Sequence, residues 1–290
     1  MLDGSMGPTK QKAARLVVDL ASTAGATEFI RADNAHVSGV SVITGGHGLR
    51  RFLSDLSGDP QGVVSIPTTL NSAGCDHEKM DEMGIDYPDF LEQQFEIVQS
   101  YSELGIEATL SCTPYDRGEE TSEGIGSWAE SNAVCFSNSY TSLITNRESG
   151  LSALATALTG WAPRWGLHLD SNRRPNILVN IECEMSDSSD WSVLGDWIGK
   201  QIRPTWELPW GPMPRIVGLP RATFEMRKAL TASAANYGCP MLWADGITVD
   251  APEVDEYEGE LTFTEEDLLS RYKDLAPRGH VDLVVIGCPQ

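Results

Sequence analysis

One amphipathic helix pattern between two apolar runs most limits the folds open to this chain of 290 residues. Asp86–Leu104 repeats apolar side chains at helical spacing and stops at Gly105, a residue type that favours the position after a helix. Gly62–Ile66 before it and Ile106–Leu110 after it are short, largely apolar runs that predict buried strands. Strand, helix and strand in this order are typical of a βαβ unit, whose strands lie parallel in one sheet.

The same alternation recurs in the second half of the chain. Asn176–Ile181 predicts a strand, residues 191–202 a helix, and Arg215–Leu219 a further strand. The predicted fold class is therefore α/β, with parallel sheets covered by helices and with more than one sheet. Val281–Ile286 predicts a last buried strand with no helix after it. We therefore expect the sequence to be a C-terminally incomplete piece of a longer protein.

The charge balance excludes two classes of partner. Asp and Glu number 42 against 21 Lys and Arg, which gives a net charge of −21. Nucleic acid and anionic membrane surfaces both need basic residues, so neither is expected as a partner. The sequence has neither a run of about 20 apolar residues nor an apolar signal segment, and we expect a cytoplasmic protein. The acidic surface is either a solvated shell or a docking face for a basic partner.

Two of the six cysteines share a context that suggests chemistry. Cys112 and Cys288 each follow a largely apolar run, and each lies in or beside a turn that contains proline. A thiolate in such a turn can bind iron, act as a nucleophile, or simply be buried. The residues alone leave these three alternatives open.

Polar residues that could surround a ligand lie in the same part of the chain. Thr69 and Asn71 follow the first predicted strand, at the end where ligands gather in open α/β sheets. Glu130 falls in a segment predicted to be helical, where it is either a solvated carboxylate or part of a tight polar site. Arg147 can bind a carboxylate or phosphate with two hydrogen bonds, or pair with a nearby acid. Asp33–His36 is predicted to be a loop.

Six short motifs, in this order and spacing, are more specific than any one residue. They are PTTLNSAG (67–74), SCTPY (111–115), WAESNAV (128–134), TNRESG followed by SALATALTG (145–160), GLHLDSNR (166–173) and GCP (287–289). Together they resemble the large, catalytic subunit of the aconitase X group of the aconitase superfamily. The resemblance covers essentially residues 1–290. It implies α/β/α layers of the aconitase type in a catalytic region that is incomplete at its C-terminus and lacks the swivel domain.

The resemblance also implies a reaction. Members of this group are hydro-lyases that dehydrate a small hydroxy acid with an iron–sulfur cluster held by three cysteines. Cys112 and Cys288 match two of these positions, and the third cysteine is expected beyond Gln290, which stands where the family usually has histidine. A small swivel domain, fused or on a separate subunit, is expected to complete the site with a serine.

The site residues implied for this chain form two groups. Glu130 and His168 are the acid or base candidates, and the substrate-binding candidates are Thr69, Asn71, Ser131, Asn132, Thr145, Asn146 and Arg147. The family dehydrates either cis-3-hydroxy-L-proline or mevalonate 5-phosphate. Because basic residues are few, the sequence favours the amino acid slightly. Two alternatives stay open: a cofactor-free acidic scaffold that binds a partner, and an enzyme with a nucleophilic cysteine.

Overall fold

Parallel sheets form the centre of both halves of the chain. The structure is a computed structural model that describes residues 1–76, 78–80, 82–84, 88–117, 123–203, 208, 210–249, 251–285 and 287. Its helices and strands, in chain order, are α1 (Pro8–Ala24), β1 (Phe29–Arg31), β2 (Asn34–Val37), α2 (Val42–Ser57), β3 (Thr68–Leu70), α3 (Pro88–Glu103), β4 (Glu123–Trp128), α4 (Ser131–Tyr140), β5 (Ser142–Arg147), α5 (Gly150–Thr159), β6 (Trp161–Pro163), β7 (Ile177–Glu182), α6 (Ser188–Gln201), β8 (Pro214–Val217), α7 (Phe224–Asn236), β9 (Trp243–Ala244), β10 (Gly259–Thr264) and α8 (Glu265–Leu275).

The chain divides into two units. Unit 1 contains Met1–Arg117, Gly124–Glu130 and Thr145–Trp165, and unit 2 contains Ser131–Ile144 and the chain from Gly166 onward. The first four-stranded sheet has the order β3-β2-β4-β5, with β2 parallel to both β3 and β4, and β1 pairs antiparallel with β6. The second sheet has the order β10-β7-β8-β9 and all of its pairs are parallel. The prediction of an α/β fold with more than one parallel sheet is confirmed.

A buried amide ties the core of unit 1 together. Gln94 is the polar residue on the apolar face of α3, and it is fully buried. Its Oε1 accepts hydrogen bonds from the backbone of Val42 and Gly74, and its Nε2 donates to Val40 O at 2.8 Å. Because both polar atoms of the Gln94 side chain are hydrogen-bonded, its burial does not incur the penalty of an unpaired polar group. The side chain fixes the start of α2 against the segment after β3.

Several predicted strands of unit 1 are wrong, and the reason is tertiary pairing. Residues 62–66 form no strand, since Val64 N donates to the carbonyl of Leu104, just after α3, and Ser65 N to that of Ala157 in α5. The strand begins later, at Thr68. Residues 106–110 contain a single bridge, Glu107 to Thr69. Conversely, residues 34–36, predicted to be a loop, belong to the buried strand β2.

Unit 2 follows its local sequence signals more closely. Asp187 caps α6, and Thr264 and Asp267 form the capping box of α8. The strand β10, which follows an acidic, turn-rich segment, was not predicted. Residues 281–285 were predicted to be a buried strand, but they are exposed and form no strand. Ile286 lies outside the described residues. Among the described residues, no helix is both long and apolar enough to cross a membrane.

Candidate functional site

Polar groups from neighbouring strands meet where the strands of unit 1 end. The pairing pattern continues past β3 and β4, because Asn71 N donates to Val37 O at 2.9 Å and Ala129 N to His36 O at 3.0 Å. Asn71 and Glu130 therefore leave their strands at the same edge of the sheet. Asn71 Nδ2 donates to Glu130 Oε2 at 2.8 Å. The structure thus brings together two residues that the sequence predicts for the site.

The Asn71–Glu130 pair is held in one orientation. Asn71 Oδ1 accepts the backbone N–H of Ser72 at 2.8 Å, which fixes the amide and through it the carboxylate. Glu130 is half-buried and lies between β4 and α4, not within a helix as predicted. The helix prediction failed because residues 126–128, just before Glu130, pair with β2 in the sheet.

A buried histidine lies one row deeper in the same sheet. The backbone register aligns Thr69, His36 and Trp128 across β3, β2 and β4. His36 is fully buried, its Nδ1 lies 2.8 Å from Thr69 Oγ1, and its ring centroid is 5.9 Å from that of Trp128. Burial lowers the pKa of His36 from 6.5 to about 3, so the imidazole is neutral at physiological pH. His36 was not among the residues predicted for the site, although its apolar neighbours Ala35 and Val37 give the alternation of a strand.

The predicted residues of β5 have two different environments. Thr145 and Asn146 are buried. Thr145 Oγ1 accepts from Trp128 N at 3.0 Å, and Asn146 Nδ2 donates to Trp165 O at 3.1 Å. These bonds hold the end of β5. Arg147, by contrast, is exposed and forms no ion pair within the described part of the chain, so the predicted alternative of a salt bridge to Glu148 is not formed.

A second carboxyl group, which was not among the residues predicted for the site, leaves the sheet at the same edge. Glu148 follows β5, and its backbone N–H donates to Trp128 O at 2.9 Å. Its side chain is half-buried. Burial raises the pKa of the Glu148 carboxyl, and a hydrogen bond with the Ser152 side chain opposes this only in part. The sequence signal that could have identified Glu148 is its position directly after a strand and directly before the helix cap Ser149.

Cys112 reaches this edge along a strained backbone. Ser111 N donates to Leu70 O at 3.3 Å, so the residues before Cys112 run beside β3. Leu110 has a φ of 49°, the one left-handed value of a non-glycine residue in the described ranges. This conformation costs about 1–3 kcal/mol for such a residue and persists only where the surrounding structure imposes it. The thiol of Cys112 is half-buried and forms no disulfide.

The described residues supply one thiol at this edge and no complete metal site. Across those residues, no three His, Cys, Asp or Glu side chains are placed to hold a metal ion. Cys288 lies outside the described residues. Of the other cysteines, Cys135 and Cys239 are part of the core of unit 2, as expected of structural residues. The role of Cys112 as a cluster ligand therefore stays a prediction.

Three predicted residues belong to unit 2. Ser131 and Asn132 begin α4, and Asn132 is buried. His168 ends a short 3-10 helix, Gly166–His168, and is 6% exposed. Their roles, like that of each residue named for the site, stay predictions.

Comparison with known proteins identifies the family. The aconitase X first domain matches residues 1–171, and the aconitase X second domain matches residues 175–273. The chain is 36% identical over 294 residues to the phosphomevalonate dehydratase large subunit of Methanothermobacter thermautotrophicus, covering 100% of this chain and 71% of that protein. It is 32% identical over 305 residues to the cis-3-hydroxy-L-proline dehydratase of Pseudomonas aeruginosa, covering 100% of this chain and 50% of that protein.

A solved structure agrees with the sequence relatives. The crystal structure of the holo-form of aconitase X from Thermococcus kodakaraensis superposes with a TM-score of 0.82 at 30% identity, over 96% of this chain and 68% of that chain. The fold of the aconitase type is thereby confirmed. The predicted hydro-lyase class is confirmed as well, since both sequence relatives are dehydratases. The chain belongs to the aconitase X family.

Proposed function

We propose that the chain is the catalytic region of a phosphomevalonate dehydratase large subunit. The observation that carries the proposal is the 36% identity over the whole chain to a protein of that name, against 32% to a cis-3-hydroxy-L-proline dehydratase. The slight preference for the amino acid, which rested on the few basic residues, is less well supported. An exposed guanidinium at the end of β5 gives Arg147 the chemistry to bind a phosphate or carboxylate.

Glu130 is the proposed base. Dehydration of a hydroxy acid removes a proton from the carbon beside the carboxylate and expels the hydroxyl group. Asn71 holds Oε2 of Glu130, which leaves Oε1 to accept that proton. A base held in one orientation reacts without first losing rotational freedom. Glu148, whose raised pKa favours the protonated carboxyl, is the proposed proton donor at the same edge. His168 stays a candidate of unit 2.

An iron–sulfur cluster is the proposed cofactor. Cys112 and Cys288 would hold it, with a third cysteine from beyond Gln290. When bound, such a cluster supplies a Lewis acid that weakens the bond to the departing hydroxyl. Cys112 is half-buried and forms no disulfide, and the residue before it runs beside β3, which supports this assignment.

A small swivel-domain subunit is the proposed partner, because the relative from Methanothermobacter is named a large subunit. The cytoplasm is the proposed location. The relatives are enzymes, which argues against the cofactor-free scaffold. A nucleophilic cysteine is tested by thiol alkylation with intact-mass measurement, in which slow labelling of Cys112 counts against it.

The complete large subunit and its small partner, purified without oxygen, test the proposal. Mevalonate 5-phosphate and cis-3-hydroxy-L-proline are supplied separately, and loss of one water is followed by mass spectrometry. Turnover of the phosphate alone supports the proposal, and turnover of the amino acid alone replaces it with the second candidate. A colourless complex that contains no iron by metal analysis would contradict the cluster.

A further inference from the structure

His36 has one bonded and one unbonded ring nitrogen in the middle of the unit 1 sheet. The side chain is fully buried. Nδ1 lies 2.8 Å from Thr69 Oγ1, whereas Nε2 has no hydrogen-bond partner among the described residues. A buried polar atom without a partner destabilises a fold by about 1–3 kcal/mol. An apolar residue would avoid this penalty, so packing alone does not account for a histidine at this position.

The position of the proton on the His36 imidazole determines whether the Thr69 hydroxyl donates or accepts their shared hydrogen bond. The ring is neutral, since burial lowers its pKa to about 3, and it therefore carries a single N–H. If that proton is on Nε2, Nδ1 accepts the hydroxyl proton of Thr69. If it is on Nδ1, the ring donates to Thr69 Oγ1, and the hydroxyl keeps its own proton for another acceptor.

Burial favours the second arrangement. Orphaned buried N–H groups are rarer in proteins than acceptors that lack a partner, so the unbonded Nε2 is better left without a hydrogen. The Thr69 hydroxyl is bonded to no other atom of the described chain. Its proton consequently has no acceptor there.

Thr69 is well placed to use that proton on a ligand. It is half-buried and lies two residues before Asn71, whose amide holds Glu130. A ligand oxygen at this edge could therefore accept a hydrogen bond from the Thr69 hydroxyl. Asn71, whose amide orients the Glu130 carboxylate, lies two residues further along the chain. A phosphate, carboxylate or hydroxyl oxygen can each accept such a proton.

We propose that His36 is a positioning residue, which donates from Nδ1 to Thr69 and so keeps the Thr69 hydroxyl a hydrogen-bond donor to the substrate. The substrate end of this inference rests on the proposed dehydratase function. The tautomer of His36 is independent of that proposed function, because it is a property of the chain itself.

The tautomer is tested first, by nitrogen-15 NMR of the full-length protein with labelled histidine. The chain contains five histidines, and the His36 signals are those that disappear in His36→Asn. A proton on Nδ1 that stays there between pH 5 and pH 8 supports the proposal. A proton on Nε2, or a charged ring in this range, overturns it even if the proposed reaction is never observed.

Kinetics of the assembled complex test the consequence. The Nδ2 of an asparagine can replace the histidine Nδ1 as a donor to Thr69, whereas a leucine cannot. We expect His36→Leu and Thr69→Val each to lower kcat/KM about ten-fold or more, as expected when one hydrogen bond to a charged group is lost. His36→Asn and Thr69→Ser should recover most of it. The double variant His36→Leu/Thr69→Val should be no worse than Thr69→Val alone.

A matched control separates this role from general damage to the sheet. Ser127 is fully buried in β4, and its hydroxyl also lacks a partner within the described residues. It aligns with Ala35 in the register, not with His36. Ser127→Ala should leave kcat/KM unchanged. Equal losses in His36→Leu and His36→Asn, or multiplicative losses in the double variant, would overturn the positioning role. A wild-type complex inactive on both substrates would remove the proposed function and leave the tautomer result standing.

Discussion

Two helices of the chain begin with a capping box directly after a strand, and their acidic residues behave in opposite ways. In unit 1, Ser149 and Ser152 cap α5, and in unit 2, Thr264 and Asp267 cap α8. Burial raises the pKa of Glu148, next to the first cap. The hydroxyl of Thr264 is the main cause of the lowered pKa of Asp267. The acid within the second cap stabilises its helix, whereas the acid just before the first cap is the one that we propose as a proton donor.

The wider surroundings of the two caps explain this difference. Glu148 is bonded through its backbone to the strand that delivers Glu130, so two carboxyl groups share one edge of the first sheet. In unit 2, Glu182 ends β7 and is exposed. A carboxyl group that is withdrawn from water, like that of Glu148, is frequent in catalytic sites, and exposed ones are typical of surfaces.

The largest expected effect distinguishes a cysteine of unit 1 from a cysteine of unit 2. We expect Cys112→Ala to reduce the dehydratase activity of the complete complex to background, because it removes a proposed ligand of the cluster. Cys183 is also half-buried, but it lies in unit 2, with its thiol 3.8 Å from the sulfur of Met185. Cys183→Ala should keep full activity and iron content. Activity assays with iron analysis compare the two variants, and full activity of Cys112→Ala would remove the proposed cluster.

The next largest effect distinguishes the glutamates that follow or end a strand in the two units. Glu130→Gln keeps the shape of the side chain and removes the base, so kcat should fall about 100- to 10,000-fold. Glu182→Gln, at the end of β7, should leave kcat within experimental error. Steady-state kinetics of both variants in the assembled complex decide the matter. If the two substitutions have equal effects, Glu130 is not the base.

The buried histidine should make unit 1 sensitive to acid. Because the folded pKa of about 3 lies below the unfolded value of 6.5, the unfolded chain binds more protons between these values, and stability falls as pH falls. From pH 7 to pH 5, His36 should lower the free energy of unfolding by about 2 kcal/mol. Urea unfolding at pH 7 and pH 5 gives the change in the free energy of unfolding for wild type and for His36→Asn, and the difference between the two proteins is the contribution of His36. The exposed His47 provides the control, and His47→Asn should show the wild-type pH dependence.

The smallest effect distinguishes the two capping boxes. Thr264→Ala and Ser149→Ala should each lower the free energy of unfolding by about 1 kcal/mol, the usual cost of a lost N-cap. Only Ser149→Ala should also change kcat, because Ser149 is bonded to Ser152, whose side chain contacts Glu148. Thermal unfolding and kinetics of both variants provide the measurements. A change in kcat for Thr264→Ala would contradict the prediction that only the α5 capping box affects the reaction.

Local signals in the sequence predicted the elements that depend on local contacts. The helices α3 and α6 were predicted from the sequence and are present in the structure. The motif residues Asn71, Glu130 and Cys112 were selected because a family resemblance connected them. The hydrogen bond between Asn71 and Glu130 was not predicted, because 58 residues separate them in the chain.

The sequence by itself determined the α/β class, the family and the set of chemically capable residues. Tertiary structure alone decided that Asp33–His36 contributes a buried strand, that Leu110 takes a left-handed conformation, and that Glu148 is withdrawn from water. The physical reason is that helix periodicity and caps arise from neighbours within about four residues. Strand pairing, desolvation and backbone strain depend on segments far away in the chain.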